Sequence, residues 1–165
     1  MFIYEEIFRD FKKKKVQYVV VGGMALNLHG SMRNTADLDI LVEMSDANLK
    51  KVISILKRRG YHVRQPIDPI RIADGKTRRH WIRQKHLRAL NFYLDQDFKE
   101  VDLIIESPIH FKKAKAEMLR LRVGKLFIPV ISIDHLILMK QKAGREVDRL
   151  DIADLKKIKK IRSRQ

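Results

Sequence analysis

Between Val19 and Val42 the chain reads VVVGGMALNLHGSMRNTADLDILV, and no other stretch limits the fold as much. An apolar strand runs into a double glycine and a short helix, and a basic loop then leads to a second apolar strand. Side chains two apart on a strand share a face, so Asp37 and Asp39 project together while Leu38, Ile40 and Val42 serve the core. Two carboxylates side by side repel, and the simplest offset is a divalent cation. Gly22 and Gly23 let the backbone approach a ligand, and the free N–H groups where the helix begins attract phosphate. A glycine turn some fourteen residues ahead of an Asp pair therefore suits a metal-dependent nucleotide site.

The rest of the chain organises around this segment. Phe2, Ile3, Ile7, Phe8 and Phe11 fall at helical spacing and predict an amphipathic helix over 2–14. Strands are expected at 17–21 and 36–43, with a short helix from Met24 to His29 that Gly30 stops. Ser45 caps a helix reaching Arg59, and Gly60 ends it. A short strand over 61–65 precedes a basic loop with some helix, 66–88. Residues 87–94 and 99–105 read as a hairpin, and Pro108 starts a helix to about Glu117. LRLRV-GK-LFIPVI is a second hairpin turning at Gly124-Lys125; helices from Ser132 to about Ala143 and from Asp148 to Ile161 close the chain. The expectation is an α+β fold, a mixed β-sheet flanked by helices with C-terminal helices after it.

At 165 residues and 45% apolar content the chain can bury the core of one domain over 1–165. Its core is expected at about 16–106, with the second hairpin and the last helices over 107–165. The absence of cysteine excludes disulfides and thiolate metal sites. No apolar run has the length of a membrane span. The start, MFIYEEIFRDFKKKK, places acids early and lysines late, the reverse of a secretory signal, so a cytoplasmic protein is expected. The net charge of +16 favours RNA, DNA or an acidic protein as partner; a basic surface that is merely solvated is the alternative.

Asp102 interrupts the apolar strand KEVDLII, where an unpaired carboxylate would be costly to bury. If that strand lies beside the Asp37–Asp39 strand, three carboxylates converge. They could hold two cations that activate an attacking hydroxyl and stabilise a departing pyrophosphate. The alternative is that these aspartates cap strand ends or pair with arginines. Arg71–Arg88 is rich in basic residues around Trp81; Arg78, Arg79, Trp81 and Arg83 could bind single-stranded nucleic acid by backbone attraction and stacking. Equally, Trp81 could pack in the core with the charges solvated. His29 reads as a structural hydrogen-bonder rather than a base.

GGMALNLHGSMRNTADLDILV resembles the signature of the DNA polymerase beta-type nucleotidyltransferase superfamily, in particular its small prokaryotic branch with the AbiEii-type toxins. The shared pattern comprises Gly22, Gly23, Ala25, His29, Gly30, Arg33, Thr35, Asp37 and Asp39. A late segment, Met139-Lys140, Ala143-Gly144-Arg145, Asp148 and Asp151, is similar too. The resemblance implies transfer of an NMP from an NTP, such as ATP, to a hydroxyl acceptor with release of pyrophosphate. It implies that Asp37, Asp39 and Asp102 bind two Mg²⁺, with Mn²⁺ as a substitute, and that Gly22 and Gly23 cradle the triphosphate. Arg33 and Thr35 would contact phosphate or orient the loop, and Lys140 and Arg145 would lend it positive charge unless they only pair with Asp148 or Asp151. The superfamily's usual serine after the first glycine is here Gly23, which leaves phosphate binding to backbone N–H groups. The basic surface points to RNA, such as a tRNA end, as acceptor. A toxin role with an acidic antitoxin partner, or a non-catalytic binding protein on the same fold, are the biological expectations.

Overall fold

The computed structural model describes residues 2–164. Every residue of Tyr18–Val21 (β1) is buried, as an all-apolar run covered on both faces must be. It lies inside a seven-stranded mixed sheet. Leu38–Val42 (β2) pairs antiparallel with β1 on one side. Leu126–Val130 (β7) pairs parallel with β1 on the other and antiparallel with Leu119–Val123 (β6). Beyond β2 lie Lys99–Ile104 (β5), parallel to β2, then Ala89–Leu94 (β4) and the two-residue His62–Val63 (β3). The spatial order is β3-β4-β5-β2-β1-β7-β6. The C-terminal hairpin β6–β7 is thus part of the same sheet as the N-terminal strands, not an appendage to a finished core.

Helices cover the sheet. Glu5–Lys13 (α1) buries Ile7, Phe8 and Phe11, with acids in its first turn and lysines in its last. It starts three residues later than its apolar spacing predicts, because Ile3 and Tyr4 form a turn that buries Tyr4 and leaves Ile3 exposed. Gly22–Leu28 (α2) follows β1 with no intervening loop. Asp46–Arg58 (α3) is capped by Ser45, whose hydroxyl accepts from the Asn48 N–H. Residues 66–88 hold more helix than expected: a 3-10 turn at Pro69–Ala73 and Gly75–Gln84 (α4). Asp74, accepting from Thr77 N–H at 2.7 Å, is the cap that nucleates α4 in this polar stretch. Phe111–Glu117 (α5), Ile133–Ala143 (α6) and Glu146–Arg162 (α7) complete the chain. Gly144, left-handed at φ +65°, makes the turn between α6 and α7. None of the helices among the described residues is long and apolar enough to cross a membrane.

Candidate active site

Register brings the carboxylates together. The parallel pairing of β2 with β5 sets Asp39 opposite Asp102, on one face and about 4.8 Å apart at the backbone. Asp37, exposed, lies just before β2, which begins at Leu38 and not at Ala36 as expected, and its charge reaches both Asp39 and Asp102. Burial first, then the charges of Asp102 and Asp37, push the Asp39 carboxyl up to about 6, while the Gly23 N–H and the Lys140 ammonium pull the other way. Burial also raises Asp102, against an opposing hydrogen bond from Asn91. The folded chain thus gathers more negative charge here than its own cations neutralise, which fits a bound cation. Among the described residues, no three His, Cys, Asp or Glu side chains stand close enough to hold an ion together. The three carboxylates are near enough for their charges to act on one another, but they do not form a closed set of ligands.

The glycine turn is shaped by those side chains. Gly22 sits at φ +65°, and a Cβ there would lie 1.9 Å from Oδ2 of Asp39. A Cβ on Gly23 would lie 2.8 Å from Oγ1 of Thr35. The double glycine is therefore required by close packing of Asp39 and Thr35 as well as by backbone conformation. The Thr35 hydroxyl stands against the position where a side chain on residue 23 would begin.

Several positioning residues carry no motif. Asn91, paired in register with Asp102 across β4 and β5, donates from Nδ2 to Asp102 Oδ1 at 2.8 Å. Gln65 in turn donates to Asn91 Oδ1 at 2.6 Å and accepts from the Asn91 N–H at 3.1 Å, which fixes which end of the Asn91 amide faces the carboxylate. The buried Tyr4 hydroxyl lies 2.8 Å from the Glu100 carbonyl, contacts the Ala36 carbonyl, and accepts from the Glu100 N–H at 3.2 Å. It ties the chain just before Asp37 to the strand carrying Asp102. The only sequence signal for Asn91 was a polar residue inside the apolar run ALNFYL; Tyr4 was hidden among the core residues of α1.

The two motifs at opposite ends of the chain meet in one ion-pair network. Arg33 pairs with Asp151. Lys140 donates to Asp151 Oδ2 at 2.6 Å and lies 3.5 Å from Asp148 Oδ1, all three residues being buried. Arg145 binds Asp148 through Nε at 2.9 Å and its own backbone N–H at 3.0 Å. Ser31 adds a hydrogen bond to Asp154. The basic loop before Asp37 is thereby pinned to α7. The carboxylate-paired alternative for Lys140 and Arg145 is the arrangement found, although both still line the cleft beside Asp39. That cleft, about 600 Å³, runs from Gly22 and Asp39 between the end of β5 and helix α6. His29 is structural as expected: buried, with Nε2 2.7 Å from the Ile131 carbonyl and Nδ1 3.2 Å from Arg162.

The expected nucleic-acid cluster is dispersed. Trp81 is 5% exposed and packs in the core, so its ring cannot stack on a base. Arg78 pairs with Asp46 at 2.9 Å and donates to the Ile72 carbonyl. Arg79 and Arg83 are exposed. The α4 helix packs on the 3-10 turn with Trp81 inward, a burial that 3.6-residue periodicity in a polar segment left undecided.

A glycine turn, an Asp-x-Asp strand and a third carboxylate in register on this mixed sheet define a nucleotidyltransferase. The chain belongs to the aminoglycoside-2''-adenylyltransferase family, whose sequence profile matches residues 4–155. No curated protein matches it in sequence. Among solved structures, the lincosamide antibiotic adenylyltransferase LnuA with lincomycin bound is 21% identical, covering 94% of this chain and 96% of that one at a TM-score of 0.64. ANT(2'')-Ia in complex with adenylyl-2''-tobramycin is 11% identical, covering 98% and 93% at 0.61. TM1012 from Thermotoga maritima is 16% identical, covering 99% and 92% at 0.58. At these identities the likeness to solved structures is one of fold. The superfamily is the one that the motifs resembled; within it, the profile that matches is that of the aminoglycoside-2''-adenylyltransferases, and nothing here singles out the AbiEii-type branch.

Proposed function

We propose that the protein transfers a nucleoside monophosphate from a metal-bound NTP to a hydroxyl of a small molecule occupying the 600 Å³ cleft beside Asp39. The observation that carries this reading is the register of Asp39 with Asp102 at the edge of that cleft, next to the Gly22 turn. Asp37, Asp39 and Asp102 would hold the divalent ion or ions, Mg²⁺ or Mn²⁺. Bound there, such an ion neutralises charge on the triphosphate and on the leaving pyrophosphate. Gly22 and Gly23 would offer backbone N–H groups to phosphate where α2 begins, with Asp39 and Thr35 packed against them. Arg145, exposed at the cleft wall, supplies positive charge toward the pyrophosphate. Asn91 and Gln65 hold Asp102 in its orientation. The acceptor hydroxyl would lose its proton to water, and its oxygen would bond to the α-phosphorus as the bond to pyrophosphate breaks.

The family and the cleft support a small acceptor of the antibiotic kind. The decisive assay incubates the pure protein with Mg²⁺, each NTP in turn, and aminoglycoside, lincosamide or RNA acceptors, following pyrophosphate release. Pyrophosphate released only with a small acceptor, and lost in Asp39→Asn, is the expected result; release driven by RNA alone would displace this reading. RNA as acceptor, with a toxin role and an acidic antitoxin, is the second reading. What favours it is charge: net +16 with Arg79 and Arg83 exposed on α4.

A further inference from the structure

A second groove lies at the other end of β1 from the glycine turn, and no residue that lines it also lines the cleft beside Asp39. It encloses about 340 Å³ between the end of α1, the start of β1, α5 and the β6–β7 hairpin. Phe8, Phe11, Tyr18 and Leu126 give it a buried apolar floor. Its walls are more open: Phe111, Met118 and Pro129 are half-buried, and Phe127 is 55% exposed. Lys12, Lys15, Lys115 and Arg120 stand on the same walls, and among the described residues no carboxylate does. None of these cations forms an ion pair among the described residues. The acids closest along the chain are engaged elsewhere, Asp10 by Arg58 and Arg59 and Glu117 by His135. Lys115 is held by neutral groups instead: its Nζ donates to Gln17 Oε1 at 2.6 Å and lies 6.0 Å from the Phe111 ring centre. The Arg120 charge reaches the Tyr18 hydroxyl, opposing the upward push that burial gives it. Lys12 also offsets the macrodipole of α1, so the uncommitted charge is that of Lys15, Lys115 and Arg120.

A concave apolar space of this size with a few charges on its walls has the form of a small-molecule site. We infer that the groove is a second binding site, for a small organic anion that joins one carboxylate, sulfonate or phosphate group to an aromatic or aliphatic body. An isolated exposed phenylalanine would need no explanation, but Phe127 continues inward onto a floor where Tyr18 packs on Phe8 and Phe11. Bound there, the apolar body covers Phe127 and Pro129 while the anion meets Lys15, Lys115 and Arg120. Charge complementarity fixes the sign of the ligand, because the groove holds cations with no acid to satisfy them. The size and the rings favour one small molecule over a nucleic acid, which requires aromatic faces open to stacking, whereas Phe8, Phe11 and Tyr18 are buried. The site stands whatever binds at Asp39.

The test titrates the full chain with anilinonaphthalene sulfonate, an aromatic anion whose fluorescence rises in an apolar site, and then competes the probe off. One molecule per chain is expected to bind. Decanoate should displace it. Inorganic phosphate, a charge without a body, and decanol, a body without a charge, should each need at least about tenfold higher concentration. The double change Lys115→Gln, Arg120→Gln should weaken probe binding about tenfold, and Phe127→Ser by about as much. These three side chains are exposed, so melting temperatures should hold; Lys15→Gln, between α1 and β1, supplies an independent loss of affinity. Lys142→Gln, which removes a cation from the cleft beside Asp39, should leave probe binding unchanged. Absence of probe binding would overturn the inference, as would phosphate or decanol competing as well as decanoate, which would leave a merely basic or merely apolar surface. An oligonucleotide that displaces the probe at lower concentration than decanoate, or probe affinity that falls in Lys142→Gln and not in the groove variants, would overturn it too.

Discussion

The Asp39 carboxyl, raised from 3.8 to about 6 by burial and two neighbouring carboxylates, ties stability to pH and metal. Well below 3.8 the group is protonated folded and unfolded alike and contributes nothing. As pH rises to 6 the unfolded chain releases its proton first, so stability falls; above 6 the full cost, on the order of 3 kcal/mol, is present. In EDTA, the melting temperature of wild type should therefore drop between pH 4 and 7 relative to Asp39→Asn, and Mg²⁺ should narrow the gap. The same variant should lose nucleotidyl transfer by at least about a thousandfold, because it removes a ligand's charge while keeping its shape. A thermal melt series and a pyrophosphate assay on one pair of proteins check both. Asn91 is expected to act through Asp102. Asn91→Leu should lower kcat by about 10- to 100-fold and raise the Mg²⁺ concentration for half-maximal rate, with Gln65→Met weaker in the same direction. A rate loss without a shifted Mg²⁺ requirement would reduce Asn91 to a packing role.

Among the secondary-structure elements, two glycines at nearly the same φ separate site from scaffold. Gly22 and Gly144 both stand at +65°. A Cβ on Gly144 would find its nearest neighbour, the Gln141 carbonyl, at 3.8 Å, so Gly144→Ala should cost only the left-handed backbone, about 1 kcal/mol in a denaturant melt. Gly22→Ala also drives a methyl into Asp39. It should cost more than about 2 kcal/mol and abolish metal-dependent transfer. The joint between the Arg33 loop, α6 and α7 depends on Lys140, the cation shared by Asp148 and Asp151. Lys140→Met leaves buried carboxylates short of a partner and should destabilise by about 3–5 kcal/mol. A variant of unchanged stability would mean that Lys140 serves the nucleotide alone.

Over the whole molecule the basic stretch around Trp81 does not form a stacking surface, because Trp81 is buried. Trp81→Ala should destabilise by about 3–5 kcal/mol through the cavity that it opens, with no effect on nucleic-acid binding beyond that of unfolding. Replacing Arg79 and Arg83 by Ala should lower RNA affinity and flatten its salt dependence by about two counterions if α4 docks RNA. An unchanged slope in a fluorescence-anisotropy titration would leave α4 as a solvated surface and strengthen the small-molecule acceptor. The C-terminal hairpin belongs in this view too. With β7 beside β1, one cleft wall comes from the α6–α7 segment that follows the hairpin, so truncation before β6 should abolish folding rather than yield a working core.

Apolar periodicity and turn residues were enough to locate the hairpins, the Ser45 and Ser132 caps and the strand bearing Asp37 and Asp39, because these are local choices made within a few bonds. The resemblance through Gly22, Gly23, Asp37 and Asp39 reached the superfamily by the same local route. The convergence of Asp102, by contrast, depends on which strand lies beside β2, and no short stretch of sequence encodes a neighbour sixty residues away. The pairing of Arg33 and Lys140 with α7, the inward turn of Trp81 and the relay from Gln65 through Asn91 have the same origin. Charged and polar side chains carry no fixed destination in sequence: they bind the nearest partner that the assembled sheet and helices provide. Tertiary structure therefore decided which cations pair with carboxylates and which stay free.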